Sequence, residues 1–304
     1  MKPLLHIGYA KTGSTFLQFN IFKPAYGFYN AFDHHFAEVI QHLILSNSFT
    51  YDAEATLKYF TDKYEDAPKQ KLMPVISAES LSGQLFNNNN KEKEISLRLK
   101  ETFPGAKILI VIRNQKAIIK SAWKHYLRNN GAQTIDRFIR KEGIKQGFTS
   151  ILNMDRFQYH YLVRQYQKLF GRENVLVLPF ELLKSNQKEF VNKVLIFSGS
   201  NKEFKDKIYP PANLSRLPVE LYIRNKVGFC MYADRYGGRR VFLQKVLDKI
   251  CPVVAKITPD RMNMAIEKSW NSYLDVLIEG YYRHSNNILA EITRLDLKNY
   301  HYEM

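Results

Sequence analysis

The sequence predicts an α/β fold of three layers, a central parallel sheet flanked by helices, followed by a mainly helical C-terminal portion. Three observations predict it. Short apolar runs recur, and the clearest, Lys107 to Ile112, is continuously aliphatic with no polar alternation. A strand that reads this way is buried on both faces, as in a parallel sheet. These runs alternate with segments of helical period, the pattern that crossover helices impose on a parallel sheet. From about residue 216 the alternation stops and helical patterning dominates. With no internal repeat and no strong linker, one domain over residues 1–304 is expected. It would comprise a sheet core over about 1–215 and the helical portion over about 216–304.

Each element can be justified in order. Pro3-Leu4-Leu5-His6-Ile7-Gly8 reads as a buried strand ending in a tight loop. Ser14 to Phe22 then reads as a helix with Phe16, Leu17, Phe19 and Ile21 as its apolar positions. Residues 24–50, rich in aromatics and His, carry no clear period. An exposed helix is expected over 53–65, a second strand at Met73–Ser77, and a loop at the Asn87–Asn90 run. A helix from Ile95 to Thr102 is stopped by Phe103-Pro104-Gly105. After the 107–112 strand comes a helix from about Gln115 to Asn129. An aromatic helix over 155–170 carries Phe157, Tyr161, Leu162, Tyr166, Leu169 and Phe170 and stops at Gly171. Asn174–Leu178 is a further strand. Pro179-Phe180-Glu181-Leu182-Leu183 leads into a helix over 186–198, and Gly237-Gly238 breaks the helical portion.

Composition narrows the function. Apolar residues make up 45% and charged residues 24%, which describes a folded chain with a real core. No apolar stretch reaches the ~20 residues that cross a bilayer, and the opening Met1–Gly8 run does not read as a signal peptide. Two cysteines, Cys230 and Cys251, make no disulfide framework. A reducing, cytoplasmic location is therefore expected. With 45 Lys+Arg against 29 Asp+Glu, the net charge is +16. Residues 101–150 hold 10 basic and 3 acidic side chains, and residues 201–250 hold 11 and 5. Such a local surplus suits either an anion-attracting surface or a solvated basic face.

Two motifs carry chemistry. The first strand runs into Gly8-Tyr9-Ala10-Lys11-Thr12-Gly13-Ser14-Thr15. Strand, glycine-bearing loop and helix form an anion-binding arrangement, because backbone N–H groups at the helix start point at the ligand. Gly8, Gly13 and Thr15 fit the nucleotide-triphosphatase loop G-x-x-x-x-G-K-[ST]. Ser14, however, stands where that motif has its Lys, and the loop's own lysine is Lys11. The second motif is Arg113 at the end of the 107–112 strand, with Ser121 eight residues on. Arg offers a planar fork of donors to phosphate oxygens and Ser adds a hydroxyl. The carboxyl ends of parallel strands are where such sheets bind ligands.

The stretch Lys11 to Leu17 resembles the 5′-phosphosulfate loop of sulfotransferases that use 3′-phosphoadenosine 5′-phosphosulfate (PAPS), and the whole run from His6 to Gln18 resembles the bacterial carbohydrate-type members. The Arg113 and Ser121 spacing is similar to that family's 3′-phosphate site. Asn174 to Leu183, and Asn213-Leu214-Ser215, resemble later segments, so the likeness covers roughly residues 3–220. It implies a P-loop-like fold whose cofactor-binding core is the part up to about residue 215. An Arg-Lys-Gly run that closes over the nucleotide in cytosolic small-molecule members is missing; Arg216, Arg239 or Arg240 are candidates to replace it.

The resemblance implies in-line transfer of a sulfuryl group from PAPS to a hydroxyl acceptor, expected to be a carbohydrate or glycolipid. Catalysis would then be mostly positioning and electrostatic stabilisation. It makes Lys11 the electrophile for the leaving oxygen, with Thr12, Gly13, Ser14 and Thr15 holding the 5′-phosphate and Arg113 and Ser121 the 3′-phosphate. Glu79, just after the second strand, is the expected base, since partial burial can tune a carboxylate toward working pH. His34, His35 and His125 are rivals for that role, while His6 is expected to pack beneath the loop. No metal is expected, since the eight His and two Cys show no ligand spacing. No nucleic-acid partner and no membrane span are expected, and contact with a membrane surface is left open. The alternative is a P-loop kinase or nucleotide hydrolase with an atypical phosphate loop. It is disfavoured by the displaced Lys and by the lack of an apolar strand ending in Asp. A basic nucleic-acid-binding module is a third reading, without helix–turn–helix or zinc spacing to support it.

Overall fold

The computed structural model describes residues 1–32, 36–86, 91–139, 151–204, 216–227 and 241–304. The chain forms two compact units. One comprises Met1–Asn114, Asp155–Ala212 and Tyr282–Met304; the other comprises Gln115–Met154 and Asn213–Tyr281.

The first unit is built on a parallel sheet of five strands among the described residues: β1 (Leu4–Gly8), β2 (Phe28–Tyr29), β3 (Met73–Ser77), β4 (Lys107–Ile112) and β5 (Val175–Pro179). Their order is β2-β3-β1-β4-β5, with β1 at the centre. β1 pairs with β3 from Leu4↔Val75 to His6↔Ser77, and with β4 from Leu4↔Lys107 onward. The chain thus passes to one side of β1 and then to the other, which opens a crevice at the carboxyl ends of these strands.

Both faces of the sheet are buried, as its unbroken apolar runs require. On one face Leu4, Val75, Leu109, Val111 and Leu178 pack with Phe16, Leu17, Ile21, Phe190, Val191 and Val194. These last residues come from the segment after β1 and from the helix Gln187–Ser198. Alternate residues Leu5, Ile7, Ile76, Ile108 and Ile110 face the other way and are fully buried too. Each such side chain contributes about 1.5–3 kcal/mol by leaving water.

The strands over 73–77 and 107–112 stand where the sequence places them. Three segments differ from expectation. β2 is a two-residue edge strand inside the stretch without clear period. Beyond Ser14–Phe16 the expected helix continues as a wider π-helix, Leu17–Ile21. The shift turns Phe19 outward at 41% exposure and buries Gln18, so Phe19 is not a core position. Finally, the expected 155–170 helix is broken. A 3-10 turn, Met154–Phe157, precedes the helix His160–Phe170, and Tyr161 is 65% exposed. The 87–90 loop, the 213–215 segment and the Gly237-Gly238 break lie outside the described residues.

The second unit is helical: Gln115–Arg128, Ile135–Ile139, Pro218–Val227, Val241–Ile257 and Asp260–Ile278. Trp123 gathers Tyr126, Phe138 and Trp270 around it. Arg224 is buried among Glu220, Asp248 and Asn130, at 3.3, 2.7 and 3.1 Å. Three of the ten basic residues of 101–150 find acidic partners here. Lys116 pairs with Asp275, while Lys120 and Lys124 reach Glu267 at 3.0 and 2.8 Å. One turn apart, the three lysines line one face of their helix and meet acids on the helix Asp260–Ile278. Burial alone would raise the Glu267 carboxyl, but hydrogen bonds from Lys124 and Lys120 outweigh it and hold the group below its ordinary value.

Candidate active site

The loop after β1 follows from its glycines. Gly8 has φ +98° and Gly13 φ +90°, conformations that L side chains rarely adopt. Space demands glycine as well. A Cβ on Gly8 would lie 2.8 Å from the Glu79 carbonyl, and one on Gly13 would lie 2.9 Å from Leu183 Cδ2. The first of these contacts draws the strand end up against the turn that carries Glu79. The loop is pinned below by Tyr9 N–H donating to Val111 O at 2.8 Å, and Lys11 itself sits at φ +67°.

Within the loop, Thr12 is fully buried and its hydroxyl donates to the Tyr9 carbonyl, so this side chain shapes the turn from inside. Ser14 is buried and Thr15 half-buried at the helix start. Gly13 stands at the N-cap with no side chain to satisfy the first N–H groups of the helix. These donors are the anion-binding equipment the sequence implies.

Glu79 opens the 3-10 turn Glu79–Ser82 after β3. Burial raises its carboxyl above the ordinary glutamate value; the Lys11 charge and the Ser14 hydroxyl pull it back. A raised carboxyl that feels a nearby ammonium charge is a group able to take up or release a proton at working pH. Beneath them lies a buried relay. Gln18 Nε2 donates to Ser77 Oγ at 3.0 Å, and Ser77 Oγ stands 2.7 Å from His6 Nδ1. We assign the Ser77 hydroxyl as donor to His6, which puts the ring proton on Nε2. Burial lowers His6 to about 3, so it stays neutral. His6 is fully buried near the end of β1, two residues before Gly8, with its ring against Phe22.

Arg113, at the end of β4, turns toward the same loop. One of its terminal nitrogens, Nη1, donates to the Lys11 carbonyl at 2.9 Å, and the guanidinium lies 4.9 Å over the Phe180 ring. Its Nε is buried without a hydrogen-bond partner. The surrounding shell is one that sequence reasoning missed. Tyr159 Oη donates to the Arg113 carbonyl at 2.6 Å. The Asn114 N–H donates to Glu181 Oε1 at 3.0 Å, and Tyr302 Oη donates to Glu181 Oε2 at 3.4 Å. Glu181 alone had a signal, as the acidic residue directly after a strand and its Pro-Phe pair.

Ser121 lies on the helix Gln115–Arg128 of the second unit, half-buried. His125 on that helix is held by Arg128 and Asn129, at 3.0 and 3.3 Å. Arg216 is engaged by Glu220, with Asp248 at 3.9 Å. His34, His35, Arg239 and Arg240 lie outside the described residues. Among the described residues no group of three His, Cys, Asp or Glu could hold a metal ion, and no helix is long and apolar enough to cross a membrane.

A parallel sheet with a glycine-bearing phosphate loop at its central strand, and an arginine at the neighbouring strand end, defines a protein of the P-loop-like class. The sulfotransferase domain family model matches residues 2–210, and the chain belongs to that family; it is a sulfotransferase. Among solved structures, it is similar to a sulfotransferase from Alicyclobacillus acidocaldarius. That match has 19% identity and a TM-score of 0.48, and covers 76% of this chain and 93% of that one. It is also similar to the sulfotransferase domain from the curacin biosynthetic pathway, at 10% identity and TM-score 0.40, covering 67% and 76%. A third is the sulfotransferase domain of the Synechococcus PCC 7002 olefin synthase, at 13% identity and TM-score 0.40, covering 89% and 94%. No curated protein sequence matches the chain significantly.

Proposed function

We propose that this sulfotransferase takes its sulfuryl group from PAPS and delivers it to a hydroxyl of a saccharide or glycolipid. The observation that supports the donor best is the meeting of Lys11, Glu79 and Arg113 around one loop. The Lys11 charge acts on the Glu79 carboxylate, and Arg113 grips the Lys11 carbonyl. The uncapped N–H groups after Gly13 suit a 5′-phosphate. The planar donors of Arg113 suit the 3′-phosphate, with Ser121 as the expected second donor.

In the reaction, the acceptor oxygen forms a bond to sulfur in line with the bond that breaks, between sulfur and the bridging oxygen of the 5′-phosphate. Glu79 takes the hydroxyl proton. Lys11 stabilises the charge that builds on the bridging oxygen, a fixed cation worth far more in a water-poor site than in solution. The products are the sulfated acceptor and adenosine 3′,5′-bisphosphate. This chemistry requires no metal.

The saccharide acceptor rests on the resemblance of the His6–Gln18 run to carbohydrate-type members, and a cytoplasmic location on the cysteine usage. The donor is tested by binding in EDTA. Adenosine 3′,5′-bisphosphate should raise the melting temperature without metal; stabilisation by ATP·Mg²⁺ instead, in a parallel sample without EDTA, would favour a kinase. The acceptor is tested by a panel of saccharides, glycolipids, phenols and steroids with labelled PAPS. Label appearing only in phenols or steroids would overturn the carbohydrate assignment.

A further inference from the structure

The last residues of the chain lie beyond the family match, which ends at residue 210, yet they are built into the first unit. Leu297 and Tyr302 are buried at 1% and 4% exposure, and Tyr302 N–H closes back on Leu297 O at 3.2 Å. Asn286 Nδ2 donates to the Glu303 carbonyl at 2.8 Å, and Arg283 pairs with the Glu303 carboxylate at 3.1 Å. So anchored, this segment reaches the end of β4 once directly and once through Glu181, which follows β5. The His301 carbonyl accepts from Asn114 Nδ2 at 2.6 Å, and Tyr302 Oη donates to Glu181.

These contacts converge on two residues. The Arg113 carbonyl is held by Tyr159, the next N–H by Glu181, and the Asn114 side chain by His301. The backbone is therefore fixed on the carboxyl side of Arg113, while its guanidinium is fixed by the Lys11 carbonyl and the Phe180 ring. Glu181 has to be aimed for this to work. Burial raises its carboxyl; the Asn114 N–H is the strongest influence favouring the charged form, the Arg113 charge adds to it, and the Tyr302 hydroxyl contributes a smaller share on the second oxygen. A carboxylate left to rotate here would be free to take the Arg113 guanidinium for itself and so compete with a phosphate.

From this we infer that Tyr302 is a positioning residue: the C-terminal strap of residues 297–303 holds Glu181 and Asn114 so that Arg113 presents its donors to the 3′-phosphate of the nucleotide. The inference rests on the proposed donor site. It predicts a defect tied to one phosphate, which a general loosening of the fold would not produce.

The test uses the full chain with Tyr302→Phe, which keeps the buried ring and removes only the hydroxyl. Binding of adenosine 3′,5′-bisphosphate and of adenosine 5′-phosphosulfate is measured by calorimetry on wild type and variant. The bisphosphate should bind the variant about 3–10-fold more weakly, with affinity for the 5′-phosphosulfate nucleotide unchanged. In turnover, KM for PAPS should rise by the same factor with kcat within two-fold of wild type. A truncation ending at Tyr300, checked for an intact melting transition, should show the larger loss on the same nucleotide. Equal weakening of both nucleotides, or no change in either, overturns the strap's role. A wild type that shows no preference for the 3′-phosphorylated nucleotide overturns the donor site itself, and the strap with it.

Discussion

The turn after β1 and the turn after β4 meet where Arg113 reaches the Lys11 carbonyl, yet they are made in opposite ways. The first is local. Two glycines at positive φ, one N-cap without a side chain and a lysine lie within six residues, from Gly8 to Gly13. The second is assembled. Arg113 is positioned by Tyr159, Phe180 and Glu181, and through Glu181 by Tyr302, which lies 121 residues beyond Glu181. A main-chain cradle needs little support because its donors are fixed by backbone conformation. A long arginine side chain has rotamers to lose, so its aim must be imposed from several directions.

If the local turn carries the chemistry, changes there should cost the most. Lys11→Ala should lower kcat by about a thousand-fold, the loss of one preorganised charge at the leaving oxygen, with the melting temperature nearly unchanged. Single-turnover assays with labelled PAPS check it, and wild-type turnover would remove Lys11 from the mechanism. Glu79→Gln should cost about a hundred-fold in rate while nucleotide affinity holds. Because the folded carboxyl is raised, the acid limb of the wild-type rate profile should fall above the ordinary glutamate range. Activity is lost as pH drops through that limb, and the Gln variant should lack it.

The assembled turn should fail differently. Arg113→Ala should raise KM for PAPS about ten- to thirty-fold with a smaller effect on kcat, since a binding fork is lost and the electrophile is not. Arg113→Lys should rescue little, because a point charge neither stacks on Phe180 nor spans two oxygens. A larger effect on acceptor KM than on donor KM would break the contrast between the two turns.

The same contrast explains what the sequence shows and what it hides. β3 and β4 are legible because apolar runs in a sheet covered on both faces cannot be mistaken for amphipathic helices. Lys11, Gly13 and Arg113 stand out in the sequence by their spacing, and the structure brings Arg113 to the Lys11 carbonyl. β2 is hidden, since two residues give no period to read. Phe19 and Gln18 exchange places because a π-turn shifts the helical face, and residue type does not announce that shift. The net charge misleads in the second unit, where Lys116, Lys120 and Lys124 meet acidic partners about 150 residues away. Tyr302 and Tyr159 are hidden for a related reason: a hydroxyl that closes a long-range contact looks in sequence like any other tyrosine.

The smallest expected effect probes what supports the local turn. The Gln18–Ser77–His6 relay works with a neutral imidazole, and burial lowers that group to about 3. Its unfolded counterpart titrates at about 6.5. Between those values the unfolded chain binds a proton that the folded chain refuses. Stability is therefore fully present above the unfolded value and drains away as pH falls toward the folded one. The slope is at most about 1.4 kcal/mol per pH unit for this one site. His6→Gln removes the titration. Urea melts of wild type and variant at pH 7, 6, 5 and 4 should draw steadily closer in stability as acidity rises, because only the wild type carries this proton-linked loss. Parallel curves would mean that His6 accepts its proton in the folded state, and the first turn would then rest on a charged support.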